Sequence, residues 1–210
     1  MAVEELDFTK IPLLKSDLLP SPISQFQKWF EEAVQQGQPE VNAMTLATVN
    51  QDYDVTARTV LLKSVDERGF VFYTNYLSPK GQALQAIPKA ALVFWWQRCQ
   101  RQVRVTGTVS LLEPALSDAY FASRPQDSQI ASMISKQSEV IPSRDYLLEK
   151  FQQKQQELKG EKIVRPDFWG GFRLTPKTIE FWQGREHRMS DRFEYRLQSN
   201  HQWEIVQLSP

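Results

Sequence analysis

The chain has 210 residues, and its 25 Lys and Arg balance 25 Asp and Glu, so its formal net charge at pH 7 is zero. That length suits one substantial domain, and the neutral balance gives no general electrostatic attraction to nucleic acid or an anionic membrane. A single cysteine, Cys99, excludes an internal disulfide framework and a multi-cysteine metal site and suits a reducing compartment.

The first ten residues, MAVEELDFTK, hold no signal-like apolar block, and the longest purely apolar run, Ala90 to Trp96, is far short of a membrane span. A cytoplasmic protein with no membrane and no nucleic-acid partner is expected. Residues 1–20 include Pro12 and Pro20 and read as an N-terminal arm that docks or stays mobile. Residues 21–210 read as one domain. Its first element is an amphipathic helix: Ser21 caps it, Pro22 follows, Ile23, Phe26, Phe30, Ala33 and Val34 recur at helical spacing, and Gly37 stops it.

Met44 to Val49 has strand character, and Asn50 to Asp54 is its turn. Val55 to Lys63 and Phe70 to Thr74 then read as the two arms of a hairpin around the polar reversal Ser64 to Gly69. Ser78-Pro79-Lys80-Gly81 opens a second helix, with Ser as cap and Pro in the first turn. Lys80 beside the unpaired N–H groups of that end would complete an anion site, although a capped surface helix with a solvated Lys fits the same residues.

Lys89 to Trp96 and Arg101 to Leu112 form a second strand pair, in which Val103, Val105 and Val109 share one face and Gln102, Arg104, Thr106 and Thr108 the other. Pro114 to Ser123, Asp127 to Ile134 and Ser143 to Lys159 read as helices inserted at about 114–159. Strand composition returns at Phe168 to Leu174, Ile179 to Gln183, Phe193 to Leu197 and Trp203 to Leu208. Without βαβ alternation, the fold class expected is mainly β (α+β), an antiparallel barrel with peripheral helices.

His187 and His201 are the only histidines, and no HExxH, GxSxG, GxGxxG or GxxxxGK[ST] occurs. Hydrolase triads, metal sites and common nucleotide loops are thereby set aside. Phosphate-type ligands remain in three places: Arg58, Lys63 and Lys80; Tyr120, Arg124 and Ser128; and Arg188 with Arg192. Tyr120, Arg124 and Ser128 would share a face of a continuous helix, but Pro125 interrupts it. A guanidinium fork with two hydroxyls suits a phosphate monoester. In the stretch FWQGREHRMSDRFEY, Trp182 offers a flat apolar surface and Asp191 is placed to orient Arg188 or Arg192. An ordinary turn with an ion pair would look the same.

The motifs NAMTLATV, RTVLLK, ERGFVFYTNY, RQVRVTG, SRPQDSQI, SKQS, FWGGFR, FWQG and RMSDR, in this order from about Phe26 to Pro210, resemble the FMN-dependent pyridoxine (pyridoxamine) 5′-phosphate oxidases. The resemblance implies a split antiparallel barrel and a homodimer with FMN in two equivalent clefts between the subunits. It implies an FMN site at Arg58, Thr59, Val60, Leu61, Leu62, Lys63, Tyr73, Thr74, Lys80, Gln102, Gln137, Ser138, Trp182 and Arg192. It implies a substrate site at Lys63, Tyr120, Arg124 and Ser128 around the substrate phosphate, with Arg188 and Ser190 as catalytic positions beside the pyridine ring.

The implied reaction moves a hydride equivalent from C4′ of pyridoxine or pyridoxamine 5′-phosphate to the flavin. Pyridoxal 5′-phosphate forms, and O2 becomes H2O2. Two positions depart from the family pattern: Ser190 stands where a His is usual, and Pro79 where an Arg is usual. A non-catalytic flavin or pyridoxal-phosphate binding protein, and a split-barrel flavin reductase acting on another substrate, are the competing readings.

Overall fold

The computed structural model describes residues 7–210, so the first six residues of the expected arm lie outside the described residues. In chain order the elements are α1 (Pro22–Gln35), β1 (Ala43–Val49), β2 (Val55–Leu61), β3 (Ser64–Asp66), β4 (Gly69–Asn75), α2 (Pro79–Ala86) and β5 (Lys89–Trp96). They continue with β6 (Arg101–Leu111), α3 (Pro114–Ser123), α4 (Gln126–Ile134), α5 (Arg144–Glu157), β7 (Trp169–Gln183), β8 (Asp191–Leu197) and β9 (Trp203–Gln207). All strand pairs are antiparallel, in the order β2-β1-β5-β6-β7-β4-β3, with β8 on β7 and β9 on β8.

Two expected boundaries change. Val55 to Lys63 is not one arm of a hairpin with Phe70 to Thr74: β2 pairs β1 across the Asn50 to Asp54 turn, and the short β3 inside the polar reversal pairs β4 instead. The chain crosses from one sheet edge to the other at Leu62 and Lys63, whose N–H groups donate to Asn42 O and Val71 O at 2.8 and 2.9 Å. Phe168 to Leu174 and Ile179 to Gln183 are not separate strands either; they are the two ends of β7. Pro176, between the two segments, sits where the β6–β7 register shifts: Thr106 faces Thr178 and Gly107 faces Pro176, so Lys177 is the extra residue of a bulge.

The split in the barrel follows from β7. From Phe172 to Gln183 one edge pairs β6, while on its other edge Trp169 to Leu174 pairs β4 and Thr178 to Gln183 pairs β8. Gly107 makes this crossing possible, because a Cβ there would lie 2.0 Å from Thr175 O. Alternation gives the barrel its interior: Leu46, Leu92, Phe94, Val103, Val105, Ile179 and Phe181 are fully buried, while the expected polar partners on β6 face outward.

Helix α1 closes one end. Ser21 Oγ accepts from Ser24 N at 3.2 Å; at the other end Gly37, with φ 67°, donates to Val34 O and Gln38 N donates to Ala33 O, a glycine C-cap. Phe26 inserts between Phe70 and Phe94, both with ring centroids at 4.9 Å, and Trp29 meets Phe181 edge-on at 5.1 Å. Each such ring contributes about 2–3 kcal/mol of burial.

The described part of the arm docks beside this helix. Phe8 and Leu13 join the core cluster, and the Arg101 guanidinium lies 4.6 Å from the Phe8 ring centroid and 4.2 Å from that of Trp29. Arg101 also pairs with Glu32 and donates to Gln183 Oε1, and Gln183 Nε2 donates to Phe8 O at 3.2 Å.

Gly107→Ala is expected to cost about 3 kcal/mol through the backbone clash at Thr175 and to lower Tm by roughly 6–12 °C. Thermal unfolding followed by circular dichroism measures it, and an unchanged Tm would mean that the crossing tolerates a side chain.

Candidate functional site

A cleft of ≈ 820 Å³ opens beside β2, β4 and the start of β7, under helices α2 to α5. Arg58, Thr59, Val60, Leu61 and Lys63 line it from β2 and the crossing that follows, Tyr73 and Thr74 from β4, and Lys80 from α2. Tyr120, Arg124, Ser128 and Gln137 line it from the helical insertion.

One wall is cationic. Asn75 O accepts from Ser78 Oγ at 2.7 Å, and the same Oγ caps α2 by accepting from Gly81 N at 3.3 Å. A Cβ on Gly81 would lie 2.5 Å from both Asn75 O and Tyr76 O, so glycine lets the helix start against the end of β4. Lys80 Nζ donates to Ser78 Oγ at 3.2 Å and to Gln137 Oε1 at 2.7 Å, and Thr74 Oγ1 donates to the same Gln137 oxygen at 3.4 Å.

Arg58 is fixed by donating to Leu46 O at 3.1 Å, to Thr48 Oγ1 at 2.9 Å and to Thr56 Oγ1. Burial, with the Arg58 charge nearby, pulls Lys80 down to about 8. The site therefore holds a cation that has no carboxylate partner among the described residues and lies at a helix N-terminus.

The opposite wall comes from α3 and α4. Helix α3 ends at Ser123, Arg124 is extended with ψ 152°, and α4 begins after Pro125. The break expected at Pro125 is real, yet Tyr120, Arg124 and Ser128 still line one cleft. Arg124 Nη1 donates to Ser132 Oγ at 2.8 Å, and the guanidinium stands 4.6 Å from the Trp169 ring centroid. Burial lowers Arg124 from the ordinary arginine value, but it remains a cation.

Tyr73 and Tyr120 stack at 3.9 Å with 19° between their planes. Burial, and then Tyr120, raises the Tyr73 phenol. Trp169 and Ser132 were absent from the sequence-based site. The FWGGFR motif was the available signal for Trp169, and Ser132 is one helical turn beyond Ser128 on α4.

The remaining sequence-predicted residues lie elsewhere in this chain. Gln102 faces Trp182 across β6–β7, and Trp182 faces Arg192 across β7–β8. With Trp95, opposite Gln102 and 6.0 Å from Trp182, they form a cross-strand row on the outside of the barrel. Arg192 donates to Glu180 Oε1 and Ser209 O, both at 2.8 Å. Glu180 also accepts from Arg104 at 2.9 Å.

Asp191 therefore does not orient Arg188 or Arg192, as the sequence suggested: it accepts from Leu13 N at 3.0 Å and pairs with Arg185 at 3.5 Å. Arg188 is exposed in a turn where it and His187 both have positive φ, 60° and 57°, and Ser190 is nearly buried at 9%. Leu62 points into the core and is 6% exposed. Ser138 is exposed with φ 76° beside Gln137. Among the described residues no His, Cys, Asp or Glu cluster could hold a metal ion, and no helix is long and apolar enough to cross a membrane.

Comparison with known proteins gives concordant matches. Residues 30–156 match the family model described as pyridoxamine 5′-phosphate oxidase, and residues 169–210 match the pyridoxine 5′-phosphate oxidase C-terminal dimerisation region. The chain is 49% identical over 204 residues to the pyridoxine/pyridoxamine 5′-phosphate oxidase of Nostoc sp., covering 97% of this chain and 95% of that one. It is 52% identical over 198 residues to the enzyme of the same name from Cupriavidus taiwanensis, covering 94% and 93%.

Among solved structures, PhzG from Burkholderia lata 383, in complex with tetrahydrophenazine-1-carboxylic acid, superposes with a TM-score of 0.90 at 27% identity, over 96% of this chain and all of that one. A pyridoxamine 5′-phosphate oxidase-related, FMN binding protein from Nostoc punctiforme shares the fold, with a TM-score of 0.74 at 15% identity over 92% and 100%. From the identity of half its residues over almost its full length and the two consecutive family matches, the chain belongs to the pyridoxine/pyridoxamine 5′-phosphate oxidase family.

Proposed function

We propose that the protein is an FMN-dependent oxidase that converts pyridoxine 5′-phosphate and pyridoxamine 5′-phosphate to pyridoxal 5′-phosphate in the cytoplasm, with O2 reduced to H2O2. The observation that carries this reading is one cleft with two separate cationic walls, Arg58 with Lys80 and Arg124 with Tyr120 and Ser128. Two phosphate-bearing ligands, a cofactor and a substrate, need such a pair. Relatives named for this activity at about half identity support it.

The residues fit FMN. The α2 N-terminus, Lys80, Arg58 and the Thr74 hydroxyl form a donor set for a phosphate, and Gln137 bridges Lys80 and Thr74 beside it. Thr59 to Lys63 would run along the flavin. When bound, FMN supplies the redox chemistry, accepting a hydride equivalent from the substrate and passing electrons to O2. The chain supplies placement: Arg124, Tyr120, Ser128 and Lys63 hold the substrate phosphate, and the guanidinium of Arg188 stabilises charge beside the ring.

The site is completed by a second copy of the chain. Gln102, Trp182, Arg188, Ser190 and Arg192 do not line the cleft of their own chain, and Gln102, Trp182 and Arg192 belong to an outward-facing row with half-exposed Trp95. We therefore assign them to the partner's cleft in a homodimer, a reading supported by the match of residues 169–210 to a dimerisation region. Ser190, a small hydroxyl where the family pattern implies His, favours a second reading, a binding protein without turnover. Oxygen-dependent formation of pyridoxal 5′-phosphate by the purified protein decides between them.

Arg124→Ala is expected to raise KM for either substrate by about 10- to 100-fold, the loss of a charged hydrogen bond of about 1.5–3 kcal/mol, with flavin content unchanged. A variant that purifies without flavin would reverse the assignment of the two walls.

The Lys80 ammonium is depressed to about 8, so it is charged below that pH and must be reprotonated for binding above it. FMN affinity is expected to hold between pH 6 and 8 and then to fall by up to about tenfold per pH unit. Fluorescence titration of flavin-free protein measures it, and Lys80→Arg should remove the break.

Mixing Lys80→Ala and Trp182→Ala subunits after reversible dissociation should restore about a quarter of wild-type activity, since half the dimers then hold one intact cleft. No recovery would place Trp182 in the cleft of its own chain.

A further inference from the structure

Trp169 stands out among the residues lining the cleft because its indole meets Tyr73 of β4 as well as Tyr120 and Arg124 of the α3–α4 wall. It is 7% exposed and is the first residue of β7, paired with Asn75 of β4. Its ring is nearly parallel to Tyr73, at 5.5 Å and 11°, and to Tyr120, at 6.2 Å and 9°. Phe121 packs edge-on against it at 5.3 Å. The Arg124 guanidinium lies 4.6 Å from its centroid.

Two features hold the indole in place. Arg165 Nη1 donates to Trp169 O at 2.6 Å, and Arg165 Nε pairs with Asp118 of α3 at 2.6 Å. The next two residues are glycines: a Cβ on Gly170 would lie 2.1 Å from the Tyr76 hydroxyl, and one on Gly171 2.8 Å from the Tyr73 ring. The backbone can thus run directly against the aromatic group that the indole joins.

Arg124 needs such a platform. It belongs to no helix, sits between two of them, and among the described residues pairs with no carboxylate; Ser132 Oγ is the acceptor for its side chain. A long guanidinium side chain anchored at one hydrogen bond would lose rotamer freedom on meeting an anion, which weakens binding. The indole face supplies a second anchor through the ring quadrupole and leaves the remaining N–H donors free.

We infer that Trp169 is a positioning residue for the ligand phosphate, holding Arg124 and Tyr120 in the geometry in which they receive it. The inference rests on the proposed phosphate-binding role of Arg124 but not on turnover.

The test measures the dissociation constants of pyridoxal 5′-phosphate and of pyridoxal, which lacks the phosphate, on the flavin-loaded protein by calorimetry. The ratio of the two constants isolates the phosphate contribution. Trp169→Leu is expected to reduce that ratio by about tenfold while leaving pyridoxal binding and flavin content within about twofold; Trp169→Phe, which keeps an aromatic face, should restore most of it. In an Arg124→Ala background Trp169→Leu should change the ratio by less than about twofold, since the group it positions is gone. Equal weakening of both ligands, full multiplication of the two effects, or a wild type whose ratio is near one would each overturn the inference. A normal ratio without turnover would sink the oxidase reading and leave the inference standing.

Discussion

The pairing of β7 with three other strands is the constraint on which the rest of this structure depends. A strand has two edges, and β7 gives one, from Phe172 to Gln183, to β6 alone and divides the other between β4 and β8. The handover occurs at Pro176 and Lys177, where proline removes a donor and the bulge increases local twist. Gly107 opposite has no side chain to obstruct the approach. The two ends of one strand therefore face different surroundings: Trp169 lines the cleft, and Trp182 stands on the outer face.

This division organises the chemistry. Net charge is zero, so positive potential in the cleft comes from where cations are left without acids. Glu180 absorbs Arg104 and Arg192 on the outer face, and Asp66 absorbs Arg68 and Arg173 on the β3–β4 side. Arg58, Lys80 and Arg124 keep neutral partners: backbone carbonyl, hydroxyls and an amide. Hydrogen bonds to neutral oxygens hold a cation in place without cancelling its charge, and in a partly desolvated cleft that charge is felt more strongly by a ligand than in water.

The sequence carried most of this where the signal was local. Caps at Ser21 and Ser78, the glycine stop at Gly37 and the alternation of Val103, Val105 and Val109 all appear where local rules put them. The misreadings concern pairing choices that depend on distant strands. Val55 to Lys63 followed by Phe70 to Thr74 has every property of a hairpin, yet β1 offers β2 a longer ladder, from Val49–Val55 to Ala43–Leu61, and wins.

Phe168 to Leu174 and Ile179 to Gln183 read as two strands by composition, but the bulge at Pro176 and Lys177 carries one strand across the interval. Asp191 looked like the partner of its neighbours Arg188 and Arg192, but Arg192, adjacent on β8, points to the opposite face, and Arg188 belongs to the exposed turn before the strand. Its partners come from the arm and from Arg185. Trp169 lay inside the FWGGFR motif, but nothing local marked it as a site residue, since its ring meets the Arg124 guanidinium only once β7 and the end of α3 come together.

The same strand has a consequence for how the chain reaches this state during synthesis. Three helices separate β6 from β7, and β4 lies about a hundred residues before its partner, so no ladder involving β7 can form until some 180 residues have been made. Until then β4 and β6 each present an open edge, next to strands as apolar as Lys89–Trp96. Nascent chains with unpaired, apolar edges are the ones that associate with each other or require a chaperone. The arrangement that joins both faces of the finished barrel thus concentrates its risk of misassembly in the interval between the emergence of β6 and that of β7.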